Sequence, residues 1–275
     1  MFLSYEQDTR FVASDLALDK VEREISEVRW PDRIAQWASE NGFEPAEELP
    51  RGHCCRVWAD LERVLRVPEF GEELESGYHA AWALADSLGP KIDAGDPETG
   101  AILMERIRPG FKLAETEAGD DEVWGTISQI VRRLPDGAER LLPLQDFFQT
   151  NHPLLQELVQ TSPAPRFLHG DLHPENLIWC ERRGDWVVID PKGLWGDPHF
   201  EPVAFLRNPL GQLGQGPQLM ARIQTRLQRI GADTGLDPGR IAAWGYLDQV
   251  AECDEGSPLA QVYRQLMSLR GAGTF

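Results

Sequence analysis

Residues 166–201 read RFLHGDLHPENLIWCERRGDWVVIDPKGLWGDPHFE. A His169-Gly170-Asp171 turn opens the stretch, Asn176 follows, and Asp190 ends an apolar run. Asp171, Asn176 and Asp190, in that order, supply the groups that phosphoryl transfer from a nucleotide requires. One carboxylate receives or orients the proton of an attacking hydroxyl; an amide and a second carboxylate hold the cation that bridges the phosphates.

Local structure predicted from the same residues brings these groups together. Asn176 to Cys180 is short and apolar, Arg182-Arg183-Gly184-Asp185 is a turn signal, and Trp186 to Ile189 is aromatic and β-branched. The pattern is that of a β-hairpin. Asn176 then starts one strand and Asp190 ends its antiparallel partner, so both can reach one cation. Mg²⁺ suits such a site because it takes few protein oxygens and completes its shell with phosphates. Gly170 and Pro174 shape the loop that presents Asp171. Asp197 before Pro198 reads as a helix N-cap followed by proline, and with His169 is expected to support the site structurally.

His169 to Asn176, Ile189-Asp190-Pro191 and Gly196-Asp197-Pro198 together resemble the aminoglycoside phosphotransferase family. The form Ile189-Asp190-Pro191-Lys192-Gly193 is most similar to its streptomycin and hydroxyurea phosphotransferase branch. The resemblance implies an α+β, protein-kinase-like fold, with a small antiparallel-sheet N-lobe and a mostly helical C-lobe. It implies Asp171 as catalytic base and Asn176 and Asp190 as magnesium ligands. ATP or GTP is then the expected donor. Streptomycin is the first acceptor expected and hydroxyurea the second, with antibiotic resistance as the outcome. A metabolic kinase for a sugar or amino alcohol is an alternative. So is a non-catalytic chain that binds nucleotide, although the intact Asp171, Asn176 and Asp190 argue for catalysis.

Upstream, Ala46 to Val67 reads as a three-strand meander with turns at Pro50-Arg51-Gly52 and Asp60. In a kinase-like N-lobe the first turn covers the phosphates and the third strand supplies a cation to them. Gly52 would let the backbone approach phosphate oxygens. Arg66 stands where the family has lysine, and a guanidinium differs from an ammonium in reach and geometry. A helix over 70–88, with apolar residues Leu74, Tyr78, Ala81, Trp82 and Ala85, begins in acids. Glu72 or Glu73 is expected to pair with Arg66, and spacing does not separate them. Residues 91–100 read as a loop. Ala101 to Ile107 is a strand running into a lobe hinge at Pro109-Gly110, so the backbone from Glu105 to Ile107 is expected to face the nucleobase. The lobes expected are 1–108, including a helical N-terminal extension, and 109–275.

Helical spacing recurs from about Asp120 to Leu134, at Leu154 to Val159, from Pro198 to Leu206, and over 219–230, 238–250 and 259–269. Among these elements Asp248, Glu252, Asp254 and Glu255 form an acidic cluster suited to guanidinium or ammonium groups of an acceptor. The chain of 275 residues carries a formal net charge of −18. That excludes a basic nucleic-acid footprint and favours cationic ligands. The four cysteines lack metal-site spacing. No apolar run is long enough to span a bilayer and no basic-then-apolar segment opens the chain, so a reducing cytoplasmic setting is expected. The expected partners are nucleotide and a small acceptor, without nucleic acid or membrane; oligomeric state has no signal in the sequence.

Overall fold

The computed structural model describes residues 34–49, 55–68, 73–208, 213–252 and 255–269, with Glu73, Leu74, Glu252 and Leu269 described by backbone alone. A helix over 34–40 (α1) precedes an antiparallel sheet built from β1 (Glu47–Glu48), β2 (Cys55–Ala59), β3 (Arg63–Pro68), β4 (Ile92–Asp96) and β5 (Ala101–Glu105). The spatial order is β1-β2-β3-β5-β4, and helix α2 (Glu73–Leu84) connects β3 to β4. Asp60 forms the β2–β3 turn, its Oδ1 accepting from the N–H groups of Glu62 (2.8 Å) and Arg63 (2.6 Å). This is the local hydrogen bonding that favours aspartate in turns. The predicted meander is therefore present; Gly52 lies outside the described residues.

Two expectations are corrected. Residues 92–96, read as loop, form β4, paired antiparallel with β5 through an irregularity between Ile92 and Ala94. Asp93 and Gly95 carry little β-propensity, so pairing makes this edge strand, as tertiary context overrides propensity. The buried stripe of α2 also differs. It runs through Ser76, Tyr78, Ala80 and Leu84, whereas Trp82 is 41% exposed. Small residues are required on that face because it meets backbone. Ser76 Oγ donates to the Lys192 carbonyl (2.8 Å), and a Cβ on Gly193 would lie 2.3 Å from the Ser76 carbonyl oxygen.

The rest of the chain is mainly helical: α3 (Asp120–Val131), α4 (Leu144–Phe147), α5 (Pro153–Gln160), α6 (Val203–Arg207), α7 (Pro217–Thr234), α8 (Pro238–Glu252) and α9 (Pro258–Leu266). Two small sheets lie among them. One has the order β10-β9-β6, from β6 (Pro109–Lys112), β9 (Leu177–Cys180) and β10 (Asp185–Val188). The other has the order β7-β11-β8, from β7 (Leu142–Pro143), β8 (Arg166–Leu168) and β11 (Leu194–Gly196). Helix α8 is buried almost all round through Ile241, Ala242, Ala243, Trp244, Tyr246 and Leu247, and its charged residues Arg240 and Asp248 are buried in ion pairs. Each fully buried Leu, Ile or Phe side chain there contributes about 1.5–3 kcal/mol. Among the described residues no helix is long and apolar enough to cross a membrane.

Candidate active site

The predicted hairpin forms from β9 and β10, with Leu177 opposite Val188 and Trp179 opposite Trp186. The Ile189 N–H donates to the Asn176 carbonyl (3.0 Å), so the residues flanking the hairpin lie side by side. Asp190 follows in a left-handed conformation, φ 58°. A non-glycine residue pays about 1–2 kcal/mol there, and such strain collects at functional sites.

His169 sits beneath the loop, fully buried. Its Nδ1 accepts from the Asp171 N–H (3.2 Å), which leaves Nε2–H to donate to the Ile189 carbonyl (3.0 Å). Burial pushes this imidazole down to about 4, so it is neutral and fixed in one tautomer. It ties the Asp171 loop to the segment bearing Asp190. Gly170 is left-handed (φ 84°), and a Cβ there would lie 2.8 Å from Leu194 Cδ1. Its N–H donates to Glu201 Oε2 (3.3 Å). Glu201 is 2% exposed, and burial pushes its carboxyl up to about 8 against hydrogen bonds from Gly170 and His169.

Asp171 is flanked by a guanidinium and an imidazole. Arg207 Nη2 lies 3.5 Å from Oδ1, and His173 Nε2 3.6 Å from Oδ2. Burial raises the Asp171 carboxyl, but His173, Lys192 and Arg207 outweigh it and hold the group well below the usual carboxylate range. Asp171 is thus ionised at any working pH. So weak a base is suited to orienting a hydroxyl and receiving its proton late. Asn176 Nδ2 donates to the Asp171 carbonyl (2.9 Å) and contacts its carboxylate (3.4 Å). Its amide oxygen is therefore the atom turned away from Asp171.

Arg66, on β3, donates from Nη2 to Asp190 Oδ1 (2.5 Å). Burial opposes the Arg66 charge, and Asp190 together with Cys55 more than offsets that. Arg66 Nε is buried without a hydrogen-bond partner. Among the described residues the carboxylate on Arg66 is Asp190; Glu72 lies outside them and the side chain of Glu73 is not described.

At the end of β5, the Glu105 N–H donates to the Lys91 carbonyl (2.9 Å) and the Arg106 N–H to the Glu62 carbonyl (2.8 Å). The Glu105 carboxylate receives Arg182 and Arg183 from the β9–β10 turn, so Glu105 fastens sheet to hairpin. Ile107 lies beyond these bonds, buried with Cys180, Val187 and Ile178.

Of the acidic cluster, Asp248 is 3% exposed and lies 3.1 Å from Arg207 Nε. It borders a cavity of about 210 Å³ with Phe147, Phe148, Gln149 and Ala251. Lys192 Nζ stands 5.3 Å over the Phe147 ring. Glu255 instead pairs with Arg264 at the surface (3.5 Å, both more than half exposed). The Glu252 side chain and Asp254 lie outside the described residues. Asp197 is the expected cap, its Oδ1 accepting from the His199 N–H (3.0 Å), and it is also buried against Arg240 (2.6 Å) and Trp244 (2.7 Å).

Sequence reasoning missed Arg207, Glu201 and Lys192. Each lies within or just after the motif-bearing stretch, where a charge beside apolar residues is a signal of its own.

Residues 89–252, more than half of the chain, match the family model described as aminoglycoside/hydroxyurea antibiotic resistance kinase. The chain belongs to this family. It is therefore a phosphotransferase, and the non-catalytic alternative falls. A streptomycin 3''-kinase of Klebsiella pneumoniae is 31% identical over 67% of this chain and 76% of its own. A hydroxyurea phosphotransferase of Kitasatospora aureofaciens is 34% identical over 66% of this chain and 48% of its own. The aminoglycoside phosphotransferase APH(3'')-Id from Streptomyces rimosus, in complex with ADP and streptomycin, superposes with a TM-score of 0.54 at 18% identity, covering 83% of this chain and 98% of that one. This likeness identifies the kinase-like fold.

Proposed function

We propose that this site moves the γ-phosphoryl group of a nucleoside triphosphate, ATP or GTP, to a hydroxyl of a small polar molecule, with cationic streptomycin first and hydroxyurea second. The observation that carries the reading is the Asp171 carboxylate, ionised among Arg207, His173 and Lys192 and touching Asn176. The streptomycin kinases and the ADP–streptomycin complex among its relatives support donor and acceptor alike.

In this reading Asp171 orients the acceptor hydroxyl and takes its proton as the phosphoryl group departs from the donor. Lys192, beside it, offsets charge on the transferred group. The Asn176 amide oxygen and the Asp190 carboxylate would hold Mg²⁺; both are hard oxygen donors, as that ion requires. When bound, the ion would neutralise the phosphates and so lower the barrier to transfer. Arg66, with an unpartnered Nε, offers donors to the non-transferred phosphates. Ile107 offers backbone to the base, since the N–H groups of Glu105 and Arg106 are already engaged. The lobes divide at 108/109. Asp248 with Phe147 and Phe148 provides an acidic, aromatic wall for a guanidinium or ammonium group.

The test is a screen of ATP and GTP, with Mg²⁺, against streptomycin, other aminoglycosides, hydroxyurea and small sugars, with phosphorylated product read by mass spectrometry. Phosphorylated streptomycin is expected. Transfer to sugars alone would replace the acceptor assignment, and no transfer to any acceptor would overturn the reading.

A further inference from the structure

Arg226, on α7, is a buried cation outside the site. It is 4% exposed, and its guanidinium lies 4.5 Å over the Phe205 ring. Its Nη1 donates to the carbonyls of Phe205 (2.7 Å), Leu206 (3.1 Å) and Asn208 (2.8 Å). Its other edge meets Asp120, the first residue of α3, through Nη2–Oδ1 (2.8 Å) and Nε–Oδ2 (3.2 Å). Arg222 forks onto the same carboxylate (2.7 and 2.9 Å). Burial raises the Asp120 carboxyl, but the two arginines hold it well below its usual range.

The carbonyls gathered by Arg226 are those at the end of α6, and they bracket Arg207, the residue that reaches Asp171 and Asp248. Helix α6 is only 5 residues long. So short a helix has little stability of its own, and its unpaired terminal carbonyls need donors. A planar fork can serve several carbonyls and a carboxylate at once; an ammonium cannot hold that pattern.

We infer that Arg226, clamped by Asp120, is a positioning residue for phosphoryl transfer: it fixes the end of α6 and thereby the placement of Arg207 against Asp171. The inference rests on Asp171 being the group that orients the acceptor. Displacement of a supporting group by about 1 Å can cost on the order of 10²-fold in rate. The effect belongs in kcat and is transmitted only through Arg207.

The test is a double-mutant cycle in steady-state kinetics, measured on the full chain with Mg²⁺-ATP and streptomycin. Arg226→Lys is expected to lower kcat at least about tenfold while the KM for ATP stays within about twofold. In an Arg207→Ala background the same substitution is expected to change kcat by less than about twofold, because coupled residues are non-additive. Asp120→Asn, which keeps the carbonyl bonds of Arg226, is expected to act in the same direction and more weakly, and it decides the matter should Arg226→Lys not fold. A variant that loses thermal stability but keeps the parental kcat, or one whose kcat loss persists undiminished without Arg207, overturns the inference. Asp171→Ala runs alongside: undiminished turnover there overturns the proposed role of Asp171 itself, whatever Arg226 does.

Discussion

Arg66 Nη2 and Asp190 Oδ1 lie 2.5 Å apart, although 124 positions separate them in the chain. The pair joins the third strand of the large sheet to the residue expected to hold metal. Arg66 holds Asp190, and its Nε is buried without a hydrogen-bond partner; binding the non-transferred phosphates is the second task proposed for it.

Arg66→Ala should raise the KM for nucleotide and lower kcat, with a loss of about 2–4 kcal/mol in kcat/KM, the scale of a broken charge pair with one partner left behind. Arg66→Lys should keep part of the activity, since the charge stays and the fork goes. Steady-state kinetics at saturating acceptor checks both; an Arg66→Ala variant with parental kcat/KM would remove the residue from phosphate binding.

Gly170→Ala should cripple turnover with moderate loss of stability. The left-handed backbone and the 2.8 Å approach of Leu194 Cδ1 to a new Cβ force the loop to shift, at about 1–3 kcal/mol for such strain, and the shift falls directly on Asp171. Thermal unfolding and kcat measured together check this; parental kcat would show that the loop tolerates movement.

Glu201 makes stability fall as pH rises. Its folded carboxyl is pushed up to about 8 from an ordinary 4.5, so the native state binds more protons than the unfolded chain between those values. Stability is fully present below about 4.5 and is lost progressively toward 8. Buried His169 acts oppositely, losing stability as pH falls from 6.5 toward about 4. Comparing Glu201→Gln with the parent isolates the first effect. Denaturant unfolding from pH 5 to 8 should show the parent losing stability relative to the variant, and parallel curves would contradict the assignment.

Asp248→Ala should destabilise the chain by about 1–3 kcal/mol, because it takes from Arg207 the nearer of its two carboxylates and leaves Asp171 at 3.5 Å. The folded fraction should also show a higher KM for a cationic acceptor. An unchanged KM would remove Asp248 from acceptor binding.

The hairpin around Asn176 and Asp190 was legible because strand pattern, turn and chemistry all lie within one local stretch. The Asp197 cap was legible for the same reason. β4 was not, because Asp93 and Gly95 become strand only by pairing with β5. Nor was the inner face of α2, which is set by the backbone of Lys192 and Gly193 pressing on Ser76. Asp248 could be picked out as an acid but not told apart from Glu255. What separates them is burial against Arg207, and an arginine at the end of α6 acquires that meaning only when the chain is folded. Glu105 could be placed at the end of a strand, but that its carboxylate serves Arg182 and Arg183 emerges only from the fold.

Asp171 is proposed as the group that orients the acceptor for phosphoryl transfer. That role is tested most directly by kcat for Asp171→Asn, at saturating Mg²⁺-ATP and streptomycin, beside nucleotide affinity in the same variant. A fall of at least about 10²-fold in kcat is expected, with nucleotide affinity nearly unchanged. Turnover equal to that of the parent would contradict it.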